Sequence, residues 1–207
     1  MPVVDKEQVP DPPDAGTPTR QRILDAASAI LREDGVTGIS TRRIASRAGI
    51  NQALVHYHFG SIENVMLQVL REMAIAATER AGRQYDSPGT FVDQWQADLK
   101  STLGSEVQMG WGKAWLEIMG LVINDRELLR AYMEEFGEPN YLILKNAVLR
   151  SLPTDQQHDE DKVEGIAALV SLIKGGLILN SLLGSNPGEE RAVEMATEFL
   201  RSQFRLA

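Results

Sequence analysis

The 207-residue chain contains no cysteine. That excludes disulfides, thiolate metal sites, iron–sulfur clusters and a cysteine nucleophile. Histidine is scarce, with only His56, His58 and His158. The i,i+2 spacing of the first two puts them on different helix faces, and no Glu-x-x-His pair exists, so no metal site is expected. A glycine-rich phosphate loop after a strand and a nucleophile elbow are missing as well. Without a convergent catalytic set, no cofactor is implied and an enzymatic role is not expected. The first sixteen residues lack a basic start followed by an apolar run, so they do not read as a secretory signal. They hold four of the nine prolines and read as a disordered tail, and the cysteine-free composition suits a reducing cytoplasm.

Positive charge is also in deficit, for the chain carries a net −8. Its distribution matters more than its sum. Residues 17–62 contain no Lys but six Arg, against Asp25, Glu33 and Asp34, a net of +3. Residues 1–16 carry −3 and residues 63–207 carry −8. Phosphate attraction is screened over about 10 Å, so a basic module on an acidic body is a coherent design for binding nucleic acid. The acidic part repels a polyanion and helps turn the basic end toward it.

No segment reads convincingly as a strand, and the expected fold class is all-α. Ile23, Ala26, Ala27, Ile30 and Leu31 share one face of a helix over about 18–34, closed by Gly35. Ser40 or Thr41 caps a short helix bearing Ile44, Ala45 and Ala48, ended by Gly49. Asn51 caps another over about 52–58. A longer helix runs from Ser61 to about Arg83, with Val65, Val69, Met73 and Ala76 or Ala77 on its apolar side. Helical spacing continues around 90–104, 111–123, 125–150, 160–184 and 187–205, broken by Ser87-Pro88-Gly89, Pro153-Thr154-Asp155 and Asn186-Pro187. This pattern suggests a helix-turn-helix domain at 17–62 and a helical body at 63–207.

Residues 165–184 are long enough to cross a bilayer. Lys174 sits at their centre, where a charge costs about 2.5–3.5 kcal/mol on insertion scales. Asn180 adds a polar burden, and the flanks carry acids in place of Lys or Arg anchors. The favoured reading is a helix buried at a subunit interface, with no membrane partner. Ala168, Gly175 and Gly176 allow close approach of a second helix, and Leu172, Leu179 and Phe199 supply apolar contact. A local bend at the Gly pair is the alternative.

The most informative stretch is residues 40–65, STRRIASRAGINQALVHYHFGSIENV. Two short helices joined at Ala48-Gly49-Ile50 form a helix-turn-helix, whose second helix fits a major groove about 12 Å wide. Small Ala45 lets the helices cross closely, and Ile44, Ala48, Ile50, Val55 and Phe59 are expected beneath. Arg42, Arg43, Gln52, Ala53, His56, Tyr57 and His58 then point outward. Arg pairs twice with a guanine edge and Gln with adenine. Arg47 reads as a solvated surface residue.

At these positions the sequence resembles the TetR family of bacterial repressors. The likeness runs from Thr19 to about Val65, through TRQRILDAA, the Gly35 helix end, STRRIASRAGI, and ALVHYHFGS followed by Glu63. It implies three N-terminal helices, a connecting fourth, and a body of five or six more. A homodimer joined by the last two long helices, and an effector pocket in each body, are also implied. Carried over by position, Thr41 contacts phosphate, Arg42 and Gln52 read bases, and Ala53 faces the groove. His56, Tyr57 and His58 grip the backbone. One departure is Ile62, where the family usually has Lys in Gly-Ser-Lys-Glu. The backbone N–H groups after Ser61 remain available for a phosphate, while the lost Lys contact should lower the salt slope by about one per half-site.

In the body, Trp95, Met109, Trp111, Trp115, Met119, Tyr132 and Phe136 recur with Met133 and Tyr141. Such spacing is ordinary for core residues, but Trp111 and Trp115 share a face, and Gly110 and Gly112 suggest space beside it. This segment is the expected wall of a pocket for a hydrophobic or amphipathic effector. The function expected is a DNA-binding regulator, most simply a repressor released from a pseudo-palindromic operator. An all-α enzyme lacks a site, and a helical adaptor docking through its acidic body is the remaining competitor.

Overall fold

The computed structural model describes residues 18–107, 110–157, 159–184 and 187–204. The proposed tail, Met109 and His158 lie outside them. Every regular element among the described residues is helical. The chain divides into two compact units, Met1–Leu70 and Arg71–Ala207, so the division falls inside a long helix and not at its start.

The first unit begins with α1 (Thr19–Asp34), which buries Ile23, Leu24, Ala26, Ala27, Ile30 and Leu31. Gly35, at φ 71°, stops it in a backbone conformation that side-chain-bearing residues resist. After a 3-10 turn at Val36–Gly38, α2 (Thr41–Ala48) opens on Ser40, whose hydroxyl accepts the Arg43 N–H at 3.2 Å. The α3 helix (Gln52–Phe59) opens on Asn51, whose side chain accepts the Ala53 N–H at 2.9 Å. Each cap satisfies a donor that the first helical turn leaves without a partner. Ile44, Ala45, Ala48, Leu54 and Val55 are buried. Ile50 and Phe59, expected in this core, are only half-buried. Leu54 supplies the missing apolar volume, and the Arg20 guanidinium sits 5.0 Å from the Phe59 ring centre.

The α4 helix (Ile62–Tyr85) is unbroken for 24 residues. Its opening turns bury Val65, Met66, Val69 and Leu70 and belong to the first unit. Farther along, Ala76 is exposed, while Ala81 and Tyr85 are buried. The second unit continues with α5 (Phe91–Ser101), α6 (Trp111–Val122), α7 (Arg126–Tyr132), α8 (Glu138–Ser151), α9 (Glu160–Leu183) and α10 (Glu189–Gln203). Single π-helical segments follow α5 at Thr102–Val107 and join α7 to α8 at Met133–Gly137. The α5 start is a full capping box, with Thr90 and Asp93 exchanging side-chain and backbone bonds. Those bonds hold the Asp93 carboxyl below its ordinary range.

Trp95, Phe91, Val148, Ala167 and Leu200 centre the core of this unit. A charged group lies in it too. Asp98 is 2% exposed, and its Oδ2 accepts from Lys174 Nζ at 2.7 Å and from the Tyr85 hydroxyl at 3.2 Å. Lys174, anomalous within an apolar helix, is therefore the cation for a carboxylate on α5. Burial, then the Asp98 charge, push the Tyr85 phenol well above its usual range, so it stays a hydrogen-bond donor. Among the described residues α9 alone is long and apolar enough to cross a membrane by length and composition, and only 22% of its apolar window is buried.

Replacing Lys174 with Met leaves a dry carboxylate without its cation, which should cost about 3 kcal/mol in urea unfolding. Adding Asp98→Asn should recover most of that loss. A single variant as stable as the parent would show that Asp98 does not depend on this pairing.

Candidate nucleic-acid interface

The α2–α3 junction is closed by a Schellman arrangement. Gly49 adopts φ 64°, ψ 41°, the Ile50 N–H reaches the Ala45 carbonyl at 3.0 Å, and the Gly49 N–H reaches Ser46 at 3.3 Å. With α2 stopped and α3 restarted at Asn51, the outer side of α3 presents Gln52, Ala53, His56 and Tyr57, all exposed. Tyr57 is 46% exposed despite its size. Arg42, on α2, is exposed too. Neither Arg42 nor Gln52 has a side-chain hydrogen bond or ion pair among the described residues. His56 Nδ1 lies 3.2 Å from the Gly60 carbonyl, which orients the ring at the end of α3. His58 does not point outward as expected. It is half-buried, with its ring edge-on to Tyr57 at 5.2 Å.

The six arginines divide by task. Arg43, expected to face outward, is held by its neighbours: Nη1 donates to the Gly38 carbonyl at 2.7 Å, and Nη2 pairs with Asp34. Arg47 makes a two-pronged pair with Glu33 at 2.6 and 2.7 Å. This hydrogen bonding lowers the Glu33 pKa and raises that of Arg47. Both pairs are solvent-exposed and contribute little stability, and they show where two of the three acids already counted in the net +3 are spent. Thr41 is half-buried at the start of α2.

At the start of α4, Ser61 Oγ accepts the Asn64 N–H at 3.2 Å, and the Asn64 amide donates to the Phe59 carbonyl at 2.8 Å. The Glu63 carboxyl is held below its usual range by its own backbone N–H and the Ser61 hydroxyl. The helix N-terminus, which attracts anions, thus already holds an internal one. A phosphate at Ser61 must compete with Glu63. Ile62 is half-buried beside it.

The residues expected around an effector separate into two groups. Trp95 is fully buried in the core, and its Nε1 has no acceptor among the described residues. Trp115 Nε1 lies 3.4 Å from the Tyr132 hydroxyl, and the Tyr132 and Phe136 rings are 5.6 Å apart. Trp111 and Met119 are half-buried on the same helix as Trp115. Gly112 does not open space as expected. Gly110 takes a left-handed conformation at the α6 start, and a Cβ on Gly112 would meet Leu182 of α9 at 3.1 Å. Gly112 therefore brings two helices together.

On α9, Leu172 and Leu179 are 74% and 43% exposed, and added Cβ atoms at Gly175 and Gly176 meet nothing within 4 Å. Ala168 is half-buried. The helix is continuous through the Gly pair. Phe199 on α10 is 45% exposed, as are Leu183 and Met195 at 75% and 57%. Leu183 and Met195 escaped the sequence reading, although Leu183 continues the three-and-four spacing of Leu172, Gly176 and Leu179.

A family model described as bacterial regulatory proteins, tetR family, matches residues 23–69. The chain is 32% identical over 196 residues to the HTH-type transcriptional regulator BetI of Rhizobium meliloti, covering 90% of this chain and 89% of that one. A TetR transcription regulator from Haloarcula marismortui superposes with a TM-score of 0.68 at 18% identity, over 90% of this chain and 98% of its own. The multidrug binding protein EbrR, complexed with ethidium, gives 0.61 at 23% identity, over 91% and 100%.

The division among the arginines has a direct test. Arg42→Ala should weaken DNA binding while unfolding stability stays within about 0.5 kcal/mol of the parent. Arg43→Ala should instead lower stability by about 1 kcal/mol, through the lost bond to the Gly38 carbonyl. Gel shifts and thermal melts on both variants separate the two roles.

Proposed function

The chain belongs to the TetR family and is a helix-turn-helix, DNA-binding transcriptional regulator; we propose that it acts in the cytoplasm as a homodimeric repressor, released from a pseudo-palindromic operator by a hydrophobic or amphipathic effector. The observation that carries the reading role is the outer side of the helix-turn-helix, where Arg42 and Gln52 are exposed and uncommitted. Both side chains suit bidentate recognition of base edges. Ala53 leaves room beside them in the groove. Thr41, His56, Tyr57 and His58 serve the sugar-phosphate backbone, His58 after a change of rotamer. Arg43 and Ser61 contact phosphate only if their internal partners yield.

The uncovered apolar stripe of α9 and α10 supports a two-fold dimer through Ala168, Leu172, Gly175, Gly176, Leu179 and Phe199. Two reading heads then require half-sites spaced by about one helical turn or more. For the effector, the aromatic group of Trp111, Trp115, Met119, Tyr132 and Phe136 is the favoured wall. Trp95 offers a buried N–H to an acceptor, and Met109, outside the described residues, is assigned to the same wall. EbrR, with ethidium bound, is a precedent for a ligand of this character in the fold.

Three polar contacts tie α4 to the other helices of the second unit. Arg71, Thr78 and Tyr85 are spaced by seven and share a side of α4. Arg71 pairs with Glu135 at 2.8 Å, Thr78 accepts from Asn140 at 2.6 Å, and Tyr85 donates to Asp98. Glu135 lies in the π-helical segment, and Asn140 also donates to the Phe136 carbonyl at 2.8 Å. A ligand that displaces Tyr132 or Phe136 therefore pulls on α4. A tenfold loss of DNA affinity needs about 1.4 kcal/mol of differential effector binding.

Selection from a randomised duplex pool, followed by salt-titrated gel shifts, tests this function. An enriched inverted repeat supports it, and binding with no sequence preference removes it. On the selected site, Gln52→Ala should weaken binding about tenfold with the dimer intact, as one bidentate contact is worth about 1–3 kcal/mol. Leu172→Glu with Phe199→Glu should give monomers in sedimentation, and a persisting dimer would move the interface elsewhere.

A further inference from the structure

The α2 C-terminus leaves a question of hydrogen-bond accounting. The last four carbonyls of a helix have no partner within it. At this end the Schellman bonds engage Ala45 and Ser46, which leaves the carbonyls of the junction itself. They are taken from another helix. Arg22 on α1 donates through Nη2 to the Ala48 carbonyl at 2.5 Å and approaches the Gly49 carbonyl at 3.3 Å. The contact spans 26 residues of sequence and is part-buried. A guanidinium is well suited to the place: it has several donors in one plane, and its charge opposes the negative end of the α2 dipole. The fit is close, because a Cβ on Gly49 would come within 3.3 Å of the same nitrogen.

We propose that Arg22 is a positioning residue for sequence reading: it clamps the α2–α3 junction to α1 and so sets the direction in which α3 presents Gln52, Ala53 and Tyr57. The inference rests on the DNA-reading role of α3 argued above. Asn51, the N-cap of α3, follows Gly49 by two residues, so a shift of the Ala48 and Gly49 carbonyls moves the start of the reading helix. Base contacts demand closer placement than phosphate contacts, which flexible side chains can follow. Loss of the clamp should therefore erode selectivity more than general affinity for DNA. A phosphate contact by Arg22 would have a different signature, reducing the salt slope by about one per half-site.

The test uses the full chain, a duplex carrying the site selected by the wild type, and a scrambled duplex of equal length. Arg22→Met keeps the apolar stem and removes the donors, while Arg22→Lys returns a charged donor without the fork. For Arg22→Met the ratio of selected to scrambled affinity should fall about tenfold, with an unchanged salt slope, and amide exchange at residues 49–53 should quicken more than in α1. Arg22→Lys should recover part of the ratio, and it carries the test alone if the Met variant's head unfolds. An unchanged ratio overturns the proposal, as does a shallower slope with selectivity retained. Failure of the wild type to enrich any site would instead remove the DNA-reading role on which the inference depends.

Discussion

The larger unit is organised by a carboxylate kept almost dry between three helices. Asp98, from α5, faces Lys174 of α9 and Tyr85 at the end of α4. Such a pair adds little net stability, because desolvation offsets most of the Coulombic gain. Its consequence is geometric. An apolar surface tolerates sliding and rotation, whereas a buried carboxylate accepts few arrangements, and any that separate it from its cation are expensive. The pair thereby fixes which side of α9 turns inward and which side stays uncovered. The uncovered side carries Leu172, Leu179 and the two glycines.

In the smaller unit, charge is distributed by the same logic of partners. Six arginines make the segment basic, but Arg43 and Arg47 bind the acids at the end of α1, and Arg22 serves the junction of the reading helices. The count of six arginines therefore overstates how many are uncommitted, although the net +3 already includes the acids they pair with. The exposed, uncommitted Arg42 and Gln52 say more about recognition than the +3 total. Glu63 makes the same point with the opposite sign, occupying the helix end that would otherwise attract an anion.

Much of this was legible in sequence. The period of Ile23, Ala26, Ala27, Ile30 and Leu31 defined α1, and Ser40, Gly49 and Asn51 marked the helix-turn-helix boundaries to within a residue. Other signals misled. Gly112 reads as space in a sequence, but space and close packing both favour a missing side chain, and only the position of Leu182 tells them apart. His58 and Arg43 fell on helix positions that looked outward. The first is half-buried with its ring edge-on to Tyr57, and the second stays exposed but is held by the Gly38 carbonyl and the Asp34 carboxylate.

Sequence by itself determined the local chemistry: helices of a given length, their caps and stops, an arginine-rich segment, and a motif belonging to one family of DNA readers. Those follow from interactions within a few residues, whose geometry the backbone repeats wherever it is helical. Tertiary structure alone decided which charges are spent internally, which apolar residues remain uncovered, and which cation answers Asp98. Arg22 with Ala48, Thr78 with Asn140, and Asp98 with Lys174 are separated by 26, 62 and 76 residues. Their pairing depends on where the chain returns in space, and no periodicity in the sequence encodes that.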